Sequence, residues 1–487
     1  MKKYYILPVL AITAAFAISC NHKSAPDKPV SVTDVSVSPS TLTLEEGETA
    51  QLTVTILPEN AGDKAVSWSS SNPAAATVED GLVSGVAEGE ADVTVTTHDG
   101  GFSDFCHVVV TKPVIPVIKM EVEALPDMTV PRADLALFYC GDELVAAGGH
   151  SNGFRIQSSA EYLKDGEWHG MQMSAAHDMP FFTKLPDGKW MIGGGCSSDS
   201  GCGQSSLVDL YDPSTRSFSA LGAQLYASRA LTRAITMEDG NVLVSGNWYE
   251  SDCMELYSAT EGTFSYVKNV SAQRSYPYLL RSAADDAIVF GSYSNTGGEY
   301  PEITVDCYKG ESYSPDLFAE WKPAAIGTGF LADNCMIGDP ASGDYSYLIA
   351  LYKGTSSSRT YALATVKNGE FALLPTNLEI PTISEYGQIY YAGPVIVDKA
   401  KQTGYMFGST GGGSSVICFV LKIEYAAALS GGKAKLSLYY SDRIDIFPGA
   451  GNSSGIVLMP DGRILVAGGI YNSNYSPYSC VYAFKPF

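Results

Sequence analysis

A short apolar run that ends on glycine or another small residue recurs seven times in the last three quarters of the chain, and no other feature restricts its fold as much. The copies are Leu144 to Gly149, Met191 to Gly194, Val242 to Gly246, Ala287 to Gly291, Tyr347 to Leu351, Gly404 to Gly408 and Ile464 to Gly469. Successive copies start 47, 51, 45, 60, 57 and 60 residues apart. A unit of about 50 residues carrying several short β-runs cannot bury its own faces, so the units must pack against one another in an array or a ring. Turn signals precede several copies, as in Pro186-Asp187-Gly188, Glu238-Asp239-Gly240 and Pro460-Asp461-Gly462. They predict tight links between neighbouring strands.

Downstream of the copies come Ala160-Glu161-Tyr162-Leu163-Lys164-Asp165-Gly166-Glu167-Trp168 and Val208-Asp209-Leu210-Tyr211 with Phe218. Paired glycines, a tyrosine, a turn and a second aromatic in that order resemble the kelch repeat, which implies a β-propeller of four-stranded blades. Glycine is expected where backbones crowd towards the axis, and Tyr162, Trp168, Tyr211, Phe218, Tyr257 and Phe264 are expected to be structural, filling the space between blades. The last copy has room for three strands. The apolar alternation from Val117 to Leu125 can supply the fourth and close the ring. The count favours seven blades, with six as the alternative if one copy between residues 315 and 440 is an insertion.

The first residues address a different question. Lys2 and Lys3 precede an apolar run from Tyr4 to Ile18, and small residues lead to Cys20. This is a signal peptide, 1–19, too short and too sharply ended to be a membrane span. A cysteine directly after the cleavage point resembles the lipobox of bacterial lipoproteins, although Ala17 stands where that family prefers leucine. The resemblance implies an acylated Cys20, residues 20–29 as a flexible tether, and attachment to a membrane through the lipid anchor only. It implies an outer-membrane lipoprotein, with the cell surface favoured over a periplasm-facing position.

Residues 30–112 alternate apolar and polar in short runs broken by Pro, Gly and Asn, which predicts half-buried strands of a β-sandwich. Val37-Ser38-Pro39, Val66-Ser67-Trp68-Ser69-Ser70-Ser71-Asn72-Pro73, Ala76-Thr77-Val78, Gly81-Leu82-Val83-Ser84-Gly85 and Ala91-Asp92-Val93-Thr94-Val95 resemble the bacterial group 2 immunoglobulin-like domain. The resemblance implies a spacer with Trp68 in its core. The whole chain is therefore expected to be all-β, a small immunoglobulin-like β-sandwich followed by a kelch-type propeller over residues 113–487.

Without Lys2 and Lys3, 29 basic residues face 53 acidic ones. A surface so acidic repels nucleic acid, so none is expected as a partner. The ten cysteines show neither a CxxC pair nor metal-ligand spacing. Cys196 and Cys202, six apart in a Gly/Ser-rich stretch, look like local partners.

Leu185-Pro186-Asp187-Gly188-Lys189-Trp190-Met191-Ile192-Gly193-Gly194-Gly195 resembles the repeat of galactose oxidase, whose copper site needs two histidines with tyrosines. The propeller here holds only His150, His169 and His177, all in the first two copies, so neither copper nor another cofactor or metal is expected. What remains is the set of loops that emerge on one face around the channel. They bring Arg132, His150, Phe154, Asp178, Arg229, Trp248, Tyr249, Arg274, Tyr293, Tyr386, Tyr471 and Tyr475 towards a ligand. Aromatic faces beside Arg, His and Asp suit a glycan or other small-molecule ligand, because rings stack on apolar sugar surfaces while polar groups fix orientation. The architecture resembles surface lipoproteins that capture nutrients for an outer-membrane transporter. One alternative is a kelch-type sugar epimerase or lyase using His150, His177, Asp178 or Glu385 as acid and base. The other is a protein-binding scaffold or adhesin. The reading favours binding over catalysis.

Overall fold

The structure, a computed structural model, describes residues 29–112, 114–199, 203–247, 253–283, 285–291, 304–324, 330–355, 358–410, 415–445, 453–470 and 476–487. The chain divides into two compact units at Pro113/Val114. In the described residues the fold is all-β apart from one short α-helix and three 3-10 turns. No described helix is long and apolar enough to cross a membrane.

The first unit follows from its alternation. Gly89–Thr97 and Ser103–Thr111 turn every second residue inwards, and the sheet they form also holds Thr41–Glu45 and Val66–Ser70. Thr41–Glu45 runs parallel to His107–Thr111. Val35, Val37, Leu44, Val83, Val93, Val95, Cys106, Val108 and Val110 make the core, and Trp68 packs on it half-buried.

Among the described residues the second unit holds seven sheets of three or more strands in sequence order, besides the two-stranded hairpin of His150–Ser151 with Arg155–Ile156, so the seven-bladed reading stands. Blades one to three are four-stranded meanders: Ala136–Cys140 to Glu167–Gln172, Phe181–Lys184 to Ser217–Ala220, and Arg233–Thr236 to Thr263–Asn269. The fourth begins with Tyr278–Ala283. Both sheets of the doubtful stretch are present, the fifth around Asp344–Thr355 and the sixth around Gly387–Asp398. First strands touch around the ring, as Phe181–Lys184 does Arg233–Thr236, and Gly455–Leu458 of the seventh sheet touches Ala136–Cys140 of the first.

Closure differs in one detail from the expectation of a single strand from Val117 to Leu125. Glu121–Leu125 pairs antiparallel with Val481–Lys485 and completes the seventh sheet. Val117–Lys119 instead runs parallel to Leu438, Tyr439 and Tyr440 of the sixth. The break falls at Met120, which is buried with Tyr405, Phe407, Val420 and Phe484 between the two sheets. The apolar Met120 side chain fills the gap between the two blades at the residue where the backbone changes sheet.

The glycine pairs sit where crowding was expected. Gly148 and Gly149 have φ of 66° and 79°. A Cβ on Gly148 would strike the His177 carbonyl oxygen, and one on Gly149 that of Ala133. Aromatic packing also follows the repeat, with ring centroids 4.9 Å apart for Tyr211 and Phe218 and 5.0 Å for Tyr257 and Phe264.

Candidate functional site

Five first strands are entered through the same backbone conformation. Asp134, Met179, Leu231, Tyr276 and Ser453 each lie two residues before their strand, with φ of 55°, 59°, 59°, 50° and 60°. Left-handed φ is uncommon for residues with a Cβ, so five at one repeat position mark a shared constraint. The constraint is a belt of backbone hydrogen bonds around the axis. Met179 N donates to Asp134 O at 3.1 Å, Asp134 N to Ser453 O at 2.9 Å and Tyr276 N to Leu231 O at 2.7 Å.

Just outside the belt, a basic residue of each of the first four blades reaches a carboxylate on the third strand. Arg132 Nε lies 3.1 Å from Glu161, His177 Nε2 3.1 Å from Asp209, Arg229 Nη2 2.5 Å from Glu255 and Arg274 Nη2 2.8 Å from Asp306. The same carboxylates accept backbone N–H groups of the incoming connection, from Thr129, Ser174, Tyr226 and Ser271 at 2.7 to 3.1 Å. This tie corrects the sequence reading of Arg132, Arg229 and Arg274 as ligand-binding residues. All three are fully buried. Their planar, multiply donating guanidinium groups pin each blade connection to its own third strand. Burial alone would raise the Asp306 carboxyl, yet its bonds to Arg274 and Ser312 hold it below the ordinary value. Asp209 behaves likewise: burial would raise it, and His177 and Ser174 hold it down.

Where the belt passes blades one and two, three ionisable groups meet. His150 follows the Gly148-Gly149 pair and is bridged to Ala133, while Asp178 is bridged to Cys196 at the equivalent place of the next blade. His150 Nδ1 lies 2.9 Å from Asp178 Oδ1 and 3.8 Å from Asp134 Oδ2. All three residues are at most 4% exposed. Burial works against a charged His150, but the bond to Asp178 and the charges of Asp178 and Asp134 outweigh it and raise the imidazole. Burial raises Asp178 as well, and His150 opposes this only in part.

Two further residues extend the cluster. Phe154, at φ 54°, stays 43% exposed while its ring stacks on His150 at 4.9 Å. Tyr276 carries a buried hydroxyl that lacks a hydrogen-bond partner among the described residues, and the Arg233 guanidinium lies 4.6 Å over its ring. Burial raises this phenol, and the charges of Asp134 and Asp178 raise it further. Tyr386 stands apart on the sixth blade, 39% exposed and stacked on Tyr440 at 5.4 Å.

Of the residues expected at the site, His150, Asp178 and Phe154 come together, and Tyr386 lies on a different blade. Trp248, Tyr249, Tyr293, Tyr471 and Tyr475 lie outside the described residues, as do Cys20 and Cys202. Sequence reading missed Asp134, and it placed Tyr276 on the loop face, in Gln273-Arg274-Ser275-Tyr276, without choosing it as a site residue. A usable signal existed: each stands two residues after the basic member of the repeat, Arg132 or Arg274, as Met179 does after His177 and Leu231 after Arg229.

A cleft of about 720 Å³ lies elsewhere. Asp339, Tyr345, Lys367, Lys399, Gln402 and Tyr425 line it between blades five and six. These come from strand-one-to-two and strand-three-to-four ends, hence from the opposite face. Its Lys367 is paired with Asp344 at 2.8 Å. With no convergence of unmet polar groups, it is the weaker candidate.

Comparison with known proteins covers the first unit best. Residues 31–108 match the bacterial Ig-like domain (group 2). An Ig-like virion protein of Serratia phage KSP90 is 43% identical over 84 residues, 17% of this chain and 33% of that one. An uncharacterized protein of Clostridium acetobutylicum is 35% identical over 145 residues, 28% of this chain and 35% of that one. The chain thus spans about a third of the length of these relatives. Among solved structures, a fungal alcohol oxidase of the AA5 family in complex with copper aligns over 76% of each chain with 14% identity and a TM-score of 0.46.

Proposed function

We propose that this protein is a cell-envelope lipoprotein, held by a lipid on Cys20, whose propeller loop face binds a glycan or another small nutrient ligand. The observation that supports this reading is the Phe154 ring, 43% exposed and stacked on His150 beside the polar belt. An exposed ring costs hydration free energy and is held in place here by a left-handed residue, an arrangement suited to stacking on the apolar face of a sugar. The Tyr386 and Tyr440 stack offers a second such surface on the sixth blade.

A glycan array probed with the soluble protein identifies the ligand, and calorimetric titration of Phe154→Ala then tests the site. Affinity should fall about fivefold or more with the fold intact, as loss of one stacking ring predicts. Unchanged affinity removes Phe154 from the site. For the anchor, Cys20→Ser expressed in a bacterial host should lose fatty-acid label and move to the soluble fraction, and equal labelling of both proteins ends that part of the proposal.

A second reading, a sugar epimerase or lyase, is favoured by one observation: a histidine oriented by a carboxylate at 2.9 Å with its other nitrogen unmet. Such a pair can move a proton to or from a bound sugar. Time-resolved NMR of the ligand decides, because a binder leaves its anomeric and epimeric signals unchanged.

A further inference from the structure

We propose that Asp134, His150 and Asp178 form a binding site for one divalent first-row cation, Mn²⁺ or Zn²⁺, at the inner belt between blades one and two. Three observations converge, and none depends on whether the loop face binds a glycan.

The first is spacing. Each residue can offer one ligand atom, and the three atoms lie within 4.8 Å of one another. From His150 Nδ1 the carboxylate oxygens stand at 2.9 and 3.8 Å. Two donors each about 2.1 Å from one ion and about 90 to 130° apart are separated by about 3.0 to 3.8 Å. The two separations from His150 Nδ1 lie at the two ends of that range.

The second is charge. Two carboxylates and one imidazole, each at most 4% exposed, sum to a negative charge in either state of the ring. Buried like charges are tolerated when a cation compensates them. Two oxygens and one nitrogen suit a borderline or hard divalent ion and do not suit Cu(I) or an iron–sulfur cluster.

The third is hydrogen bonding. The Tyr276 hydroxyl is buried without a hydrogen-bond partner among the described residues, and the charges of Asp134 and Asp178 reach it. Unmet polar groups in a native interior point to an ion or water that completes the set. A three-residue set leaves coordination positions open to water or a ligand oxygen. Asp134 belongs to the belt whose φ of 55° fixes where its carboxylate stands, so the site is preorganised.

The test is metal titration of the full chain after chelator treatment, with MnCl₂ or ZnCl₂ alone as the probe. Mass spectrometry of the native protein gives stoichiometry, calorimetry gives affinity, and thermal unfolding gives the shift on binding. Wild type should take up one ion per chain and melt higher with it. Asp134→Asn, which preserves shape and leaves the bond between His150 and Asp178 in place, should bind at least tenfold more weakly. His150→Gln should do the same, with far-UV circular dichroism showing that both variants are folded. Weak uptake with equal affinity in wild type and both variants would place the ions on the acidic surface and overturn the proposal, as would the absence of any uptake. If Asp134→Asn failed to fold, His150→Gln alone would decide, and the wild-type stoichiometry would still have to be one.

Discussion

In the first four blades a buried basic side chain reaches a third-strand carboxylate, and in the sixth the corresponding strand, Ser415–Glu424, carries no acid before its last residue. Val416, Ile417, Cys418, Phe419, Val420 and Leu421 are buried there instead. Strand length differs in parallel. The second blade uses strands of four and five residues, whereas the four main strands of the sixth run for twelve, eight, ten and eleven. Short strands bury little apolar area, so their blade connections need polar ties that fix position and orientation. Longer strands bury enough to dispense with them. One ring is thus closed by two kinds of cohesion.

The largest effect should come from breaking a tie. Arg229→Ala leaves Glu255 buried with only backbone donors and is expected to destabilise the propeller by about 3–5 kcal/mol in urea unfolding. A cost below about 1 kcal/mol would mean that the ties contribute nothing the apolar contacts do not. Leu421→Ala, in the middle of the sixth blade's third strand, should cost about 2–5 kcal/mol through lost burial and the cavity it leaves. If it unfolds with the same midpoint as wild type, the sixth blade is not held by packing and the contrast fails.

Acid should separate the two regions more gently. The folded Asp306 and Asp209 carboxyls lie below their ordinary value, so they contribute stability that is present above the unfolded pKa, about 3.9, and is lost as pH falls through the folded one. Glu143, lowered to about 2 chiefly by its bond to Arg216, adds to the same side. Hydrogen exchange followed from pH 6 to pH 2.5 should therefore show blades one to four losing protection before the sixth. Simultaneous loss would mean that the ring opens as one unit. The smallest effect belongs to Phe154→Ala: an exposed ring outside both kinds of cohesion should change stability by no more than about 0.5 kcal/mol. A larger loss would give Phe154 a packing role and weaken its assignment as a stacking surface.

The repeat, the two units and the closing strand were legible in the sequence because each rests on local periodicity and turn chemistry. Val481–Lys485 could be assigned a partner near the start of the unit because the last repeat was one strand short. The site was legible only in fragments. His150, Asp178 and Phe154 were singled out separately, but nothing local says that a residue after one glycine pair will meet a residue 28 positions on. Three arginines were assigned to a ligand because an arginine opening a strand looks the same in sequence whether it faces solvent or a carboxylate. Composition, repeat length and alternation determined that the chain is an immunoglobulin-like unit followed by a propeller of seven or six blades, and the sheets of the structure settled on seven. Tertiary structure decided which charges are paired and which converge: residues far apart in sequence meet only once the ring closes, and burial fixes the state of each ionisable group.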